Sequence, residues 1–181
     1  MTAPNAPVYI ACIGSRETPL DILAWMQATG EQFVRDGHHI ITGNAPGADQ
    51  AWAAGGNKVD PTHVTLCLPW ASFENKAVHF KNTIRVLADK MTDVERHRYY
   101  DVAEAAHPAW TQMTPGGQRL HARNAMIVQE ARLVFGYCTA SSGGTYGAFR
   151  IARQMEIPCY DVGDRKVRAK VDELVDLAVR R

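Results

Sequence analysis

Three segments of the chain carry residues suited to holding a negatively charged group. They are Gly14-Ser15-Arg16-Glu17-Thr18-Pro19, Gly43-Asn44-Ala45-Pro46-Gly47-Ala48-Asp49 and Thr139-Ala140-Ser141-Ser142-Gly143-Gly144-Thr145. Glycines let a backbone approach a ligand closely, and hydroxyl and amide side chains add neutral hydrogen-bonding groups. The second and third segments run straight into stretches of helical character, where free amides and the helix dipole attract an anion. Arg16 contributes a planar charged fork matched to phosphate oxygens. Any one such turn is ordinary strand–helix architecture, and Ser142 or Thr145 alone reads as a helix cap. Together the three point to a phosphate or nucleotide site. Its candidate residues are Gly14, Ser15, Arg16, Gly43, Asn44, Gly47, Ala48, Asp49, Ser141, Ser142, Gly143, Gly144 and Thr145.

Asp49 falls in the first turn of a small helix, where a carboxylate suits the dipole. It is open to three roles: a capping acid, an acceptor for ribose hydroxyls, or an acid/base beside a glycosidic bond. Glu17 is the other acid placed for such catalysis. On a later helical stretch Arg123 shares a face with Arg119, Met126 and Glu130, while Asn124 lies in the apolar stripe of Leu120, Ile127 and Ala131. An amide in that stripe needs partners, from the neighbouring loops or from a ligand. Arg123 is either a solvated charge or a phosphate contact. Trp70, directly after an apolar run, is placed to cover a base.

These residues need a scaffold, and the sequence supplies one. Residues 8–13, 39–42, 64–68, 133–138 and 157–160 are short apolar runs that read as strands buried on both faces. Helical spacing fills 22–33, 48–54 (closed by Gly55-Gly56), 120–131, 145–155 and 167–178. Alternation of this kind predicts an α/β, Rossmann-like, doubly wound and mainly parallel sheet of about five or more strands, with helices on both faces. In such a sheet the ligand crevice lies beyond the carboxyl ends of the strands, where the three segments fall. Residues 71–118 interrupt the rhythm without a strand-like run. They predict an insertion of two helices, within about 79–90 and 92–106, serving as a lid or an oligomer contact. The whole of 1–181 reads as one domain.

Composition narrows the function. The chain has 181 residues, 46% of them hydrophobic and 22% charged, as expected for a soluble globular protein. No apolar run is long enough to span a bilayer and the first residues lack a signal-peptide pattern, so a cytoplasmic protein is expected. Twenty lysines and arginines against nineteen acids leave a net charge of +1, without the basic excess typical of a dedicated nucleic-acid binder. The four cysteines (Cys12, Cys67, Cys138, Cys159) lack metal spacing and read as buried free thiols. The seven histidines show no ligand spacing, so neither a metal nor a cofactor is expected.

The order Gly14-Ser15-Arg16, Gly43 to Gly47-Ala48-Asp49, Ala122-Arg123-Asn124 and Ser142-Gly143-Gly144-Thr145 resembles the SLOG superfamily. That group includes DNA-processing protein A, YspA-type proteins and the LOG phosphoribohydrolases. The resemblance covers roughly 8–70 and 119–162, and His107-Pro108-Ala109-Trp110 is similar to a segment of phage-encoded relatives in the DNA-processing branch. It implies a Rossmann-like fold, self-association as a homodimer or larger oligomer, and nucleotide-like ligands. The catalytic glutamate that follows the phosphoribohydrolase motif has no counterpart after Thr145, where Tyr146-Gly147-Ala148 stands. The expected function is binding of a phosphorylated nucleotide or nucleotide-sugar derivative, with N-glycosidic cleavage left open. The alternatives are single-stranded DNA binding, not favoured by the charge balance, and a sensor or sponge for a nucleotide signal.

Overall fold

The computed structural model describes residues 7–87, 92–139, 141 and 143–179. Among them six strands form one all-parallel sheet: β1 (Tyr9–Gly14), β2 (His39–Thr42), β3 (Val64–Leu68), β4 (Thr83–Val86), β5 (Leu133–Tyr137) and β6 (Cys159–Asp161). Their order is β4-β3-β2-β1-β5-β6. The helices are α1 (Leu20–Arg35), α2 (Ala48–Asn57), α3 (Asp93–Ala106), α4 (Pro115–Gln129), α5 (Gly144–Gln154) and α6 (Arg165–Val179). The architecture is the expected Rossmann-like one.

The central strands are buried on both sides, and their alternation feeds two cores. Ile10 and Cys12 of β1 pack with Met26 and Phe33 of α1, Trp52 of α2 and Val171 of α6. Ala11 and Ile13 pack instead with α4 and α5, through Met126, Ile127, Ala148 and Phe149. Each face therefore removes large apolar side chains from water, at about 1.5–3 kcal/mol for each one fully buried. On the first face α1 and α2 approach closely enough that a Cβ on Gly55 would lie 2.1 Å from the Gln27 carbonyl oxygen. Gly55 and Gly56 accordingly do not stop the helix, which continues to Asn57; they let it press against its neighbour.

The insertion differs from expectation at one element. A helix is predicted within 79–90, but Thr83–Val86 is a strand paired in parallel with β3, from Thr65↔Thr83 to Leu68↔Val86. Being an edge strand, β4 leaves Thr83 and Ile84 exposed, so it lacks the continuous apolar run of a central strand. Residues 88–90 of that expected helix lie outside the described residues. The second predicted helix is α3, opened by a capping box in which the Thr92 hydroxyl accepts from the Glu95 amide and the Glu95 carboxylate accepts from the Thr92 amide. Among the thiols, Cys12 and Cys67 are buried whereas Cys138 and Cys159 are half-buried. Burial pushes the Cys67 thiol up to about 12, leaving it unreactive.

The strand order places the site. The chain builds β1 to β4 outward in one direction and then returns to lay β5 against the other side of β1. The reversal falls between β1 and β5, which end in register at Gly14↔Tyr137. A parallel sheet opens a crevice at such a point, beyond the carboxyl ends of its strands.

Candidate anion-binding site

At this switch point lies a cavity of about 370 Å³. Its floor and walls come from all three donor-rich loops and from α4. Gly14, Ser15, Arg16 and Glu17 line it from β1, Asp49 from the start of α2, Arg123 and Asn124 from α4, and Gly143, Gly144 and Thr145 from the start of α5.

The loops are held together by their backbones. The Ser15 amide donates to the Tyr137 carbonyl at 3.0 Å, tying the first loop to β5, and the Ala48 amide donates to the Ser15 carbonyl at 3.3 Å, tying it to α2. Gly47 adopts φ +88, and a Cβ there would meet the Arg16 carbonyl oxygen at 2.7 Å. Gly47 and Ala48 thus serve the site as packing between loops, outside the cavity lining. Gly143 adopts φ +89 and ψ −175 at the N-cap of α5, a conformation close to exclusive to glycine, with no side chain capping the helix. Asn124 fixes this end of the helix: its amide donates to the Gly144 carbonyl at 3.0 Å.

Arg123 is the centre of the site. It is 5% exposed, as is Asp49, whose Oδ2 accepts from Arg123 Nη1 at 3.4 Å and from the Ala45 amide at 3.2 Å. Gly43 makes room for the pair, since a Cβ there would fall 1.1 Å from Nη1 and 2.7 Å from Asp49 Oδ2. On another side the guanidinium lies over the Phe73 ring, 5.7 Å from its centroid. Burial pushes the Asp49 carboxyl up from its ordinary range, against the pull of Arg123 and of the Ala45 and Gly14 amides. Burial acts on Arg123 in the opposite direction, and Asp49 opposes it. Arginine stays charged in proteins, so the pair is a buried cation neutralised on one side, with Nε lacking a partner among the described residues.

The remaining expected residues sit elsewhere. Asn44 is fully buried at φ +60, its side-chain amide donating to the Glu74 carbonyl at 3.0 Å and its Oδ1 without a partner among the described residues. Trp70 packs edge-on against Phe73 at 5.3 Å and is not part of the cavity lining. Ser141 lines an adjoining hollow with Tyr146, Arg153 and Asp161. Ser142 lies outside the described residues. Sequence reasoning passed over Phe73, which backs Arg123, and His121, which lines the cavity from α4. The only hint of His121 was its place two residues before Arg123.

No protein-family model matches the chain, and no curated protein matches it. Among solved structures, DNA processing protein A from Helicobacter pylori is similar, with a TM-score of 0.64 at 14% identity over 96% of this chain and 81% of that one. That structure is described for its single-stranded DNA binding mode. The likeness spans the insertion as well as the core, and it shows that this chain has the Rossmann-like fold of DNA processing protein A.

Proposed function

We propose that the cavity binds the phosphate of a nucleotide or nucleotide derivative. The observation that carries this reading is Arg123, a guanidinium 5% exposed, opposed among the described residues by the one carboxylate of Asp49 and set in the wall of a cavity at the sheet's switch point. A desolvated cation of this kind gains strongly from a second anion, and phosphate offers the matching fork geometry. The amino end of α5, Ser15, Arg16 and Thr145 supply further donors around it. Asp49 then positions Arg123, because Oδ2 is already engaged by Arg123 and the Ala45 amide. Glu17, exposed at the rim, is the acid left for N-glycosidic cleavage.

Calorimetric titration with nucleoside monophosphates, followed by chromatography of the mixture, tests the reading. Saturable binding that Arg123→Ala abolishes supports it, and released base would add a phosphoribohydrolase-like activity. Absence of binding at millimolar ligand refutes it.

A second reading is favoured by the structural likeness to a single-stranded DNA-binding protein. The same donors would hold a backbone phosphate, and His107-Pro108-Ala109-Trp110 draws the chain toward the phage-encoded members of that branch. Binding through phosphates weakens steeply with salt. A gel shift with single-stranded DNA that fades across a salt series supports this reading, and no shift at low salt removes it.

A further inference from the structure

We propose that His121 recognises the sugar attached to the bound phosphate, an assignment that rests on the nucleotide reading above. His121 is 8% exposed and lines the cavity from the turn of α4 that also carries Arg123. Neither ring nitrogen is among the sealed, partnerless polar atoms of the described residues, and the imidazole stands in the cavity wall. A polar edge left open in a cavity wall is available to a ligand's hydrogen-bonding group.

The ring's setting is built from two further elements. Gly147 of α5 lies against it: a Cβ there would come 3.0 Å from Nδ1 and 3.2 Å from Cε1. Any larger residue at 147 would push the imidazole away. On another side the His107 ring meets it edge-on at 4.4 Å, and His107 is itself fixed by Nδ1 accepting from the Ala109 amide at 3.2 Å. The insertion therefore contributes to the cavity by bracing His121.

The chemistry selects the ligand group. Burial first, then His107 and Arg123, lowers His121 to about 4, so the ring is neutral at neutral pH. A neutral imidazole offers one N–H donor and one lone pair, the complement of a hydroxyl group that both donates and accepts. Arg123 already supplies the charge for phosphate, and the group covalently next to a nucleotide's phosphate is its sugar.

Equilibrium binding of inorganic phosphate, ribose 5-phosphate and a nucleoside monophosphate to the full chain tests the assignment. Wild-type protein is expected to hold ribose 5-phosphate about five- to tenfold more tightly than phosphate, the scale of one neutral hydrogen bond. His121→Ala should erase that preference, bringing ribose 5-phosphate to the affinity of phosphate, and His121→Asn should restore part of it. The Asn variant carries the test if the Ala variant fails to fold. Phosphate and sugar phosphate bound equally by the wild type, an unchanged preference in the variants, or equal loss of both ligands each overturns the role of His121 while sparing the anion site. A preference that appears only with the nucleoside monophosphate also overturns it, since recognition would then fall on the base. No binding of any of the three by the wild type defeats the nucleotide reading and this assignment with it.

Discussion

Gly43 and Arg123 occupy one volume: a Cβ on the glycine would lie 1.1 Å from Nη1 of the arginine. The residue that follows β2 thus lacks a side chain so that a guanidinium from α4 can reach Asp49 at 3.4 Å. Gly43→Ala must displace that pair. We expect it to cost about 1–3 kcal/mol, as overpacking of a tight interior does, and to abolish anion binding. Denaturant unfolding and titration with a nucleoside monophosphate check both; an alanine variant with wild-type stability and affinity would show that the pair has another place to go.

Asp49 and Arg123 should behave as one unit. Asp49→Ala leaves a buried guanidinium uncompensated and is expected to cost about 3–5 kcal/mol. Removing both charges, with Asp49→Ala and Arg123→Met, should recover much of that loss, because the unpaired charge is gone. The double variant should still bind no phosphate. Additive losses in a double-mutant cycle would mean that the two side chains act independently.

The fold was legible where strands are buried on both faces. β1, β2, β3 and β5 announce themselves as apolar runs between glycine- or proline-marked turns. β4 does not, because an edge strand with Thr83 and Ile84 exposed carries no such pattern. The loops were legible from their glycines, but which glycine serves conformation and which serves space was not. Gly143 has a positive φ with no contact to its Cβ position from the described residues beyond its chain neighbours, while Gly43 answers to an arginine on a distant helix. The burial of Arg123 and the ring of His121 were hidden for the same reason: their surroundings come from α2, α5 and the insertion, and helix periodicity in α4 reports none of these.

His121 should leave a mark on the pH dependence of stability. Its folded-state value, about 4, lies below its ordinary 6.5, so the unfolded chain binds the proton more readily between those values. The neutral ring's contribution is intact above about 6.5 and is lost as pH falls toward 4. Between about pH 7 and about pH 5 this amounts to roughly 1–2 kcal/mol. Urea unfolding of the wild type and of His121→Asn at the two pH values is the check. Equal pH dependence in both proteins would place the titration elsewhere.

Gly143→Ala isolates backbone conformation from packing, since no described residue beyond its chain neighbours lies within 4 Å of the added Cβ. Holding alanine at φ +89 and ψ −175 is expected to cost about 1–3 kcal/mol, or to shift the loop and turn the amino end of α5 away from the cavity. Either outcome weakens phosphate binding in a titration. Unaltered affinity and melting temperature would show that the α5 amides are not needed.

The central claim is that loops after β1 and β5, with Arg123 between them, converge on one phosphate. Amide-resolved NMR during titration with a nucleoside monophosphate tests it most directly. The account predicts the largest shifts at Ser15, Arg16, Gly144 and Thr145, together with the Arg123 side chain. Shifts confined to other surfaces, or none at millimolar ligand, would contradict it.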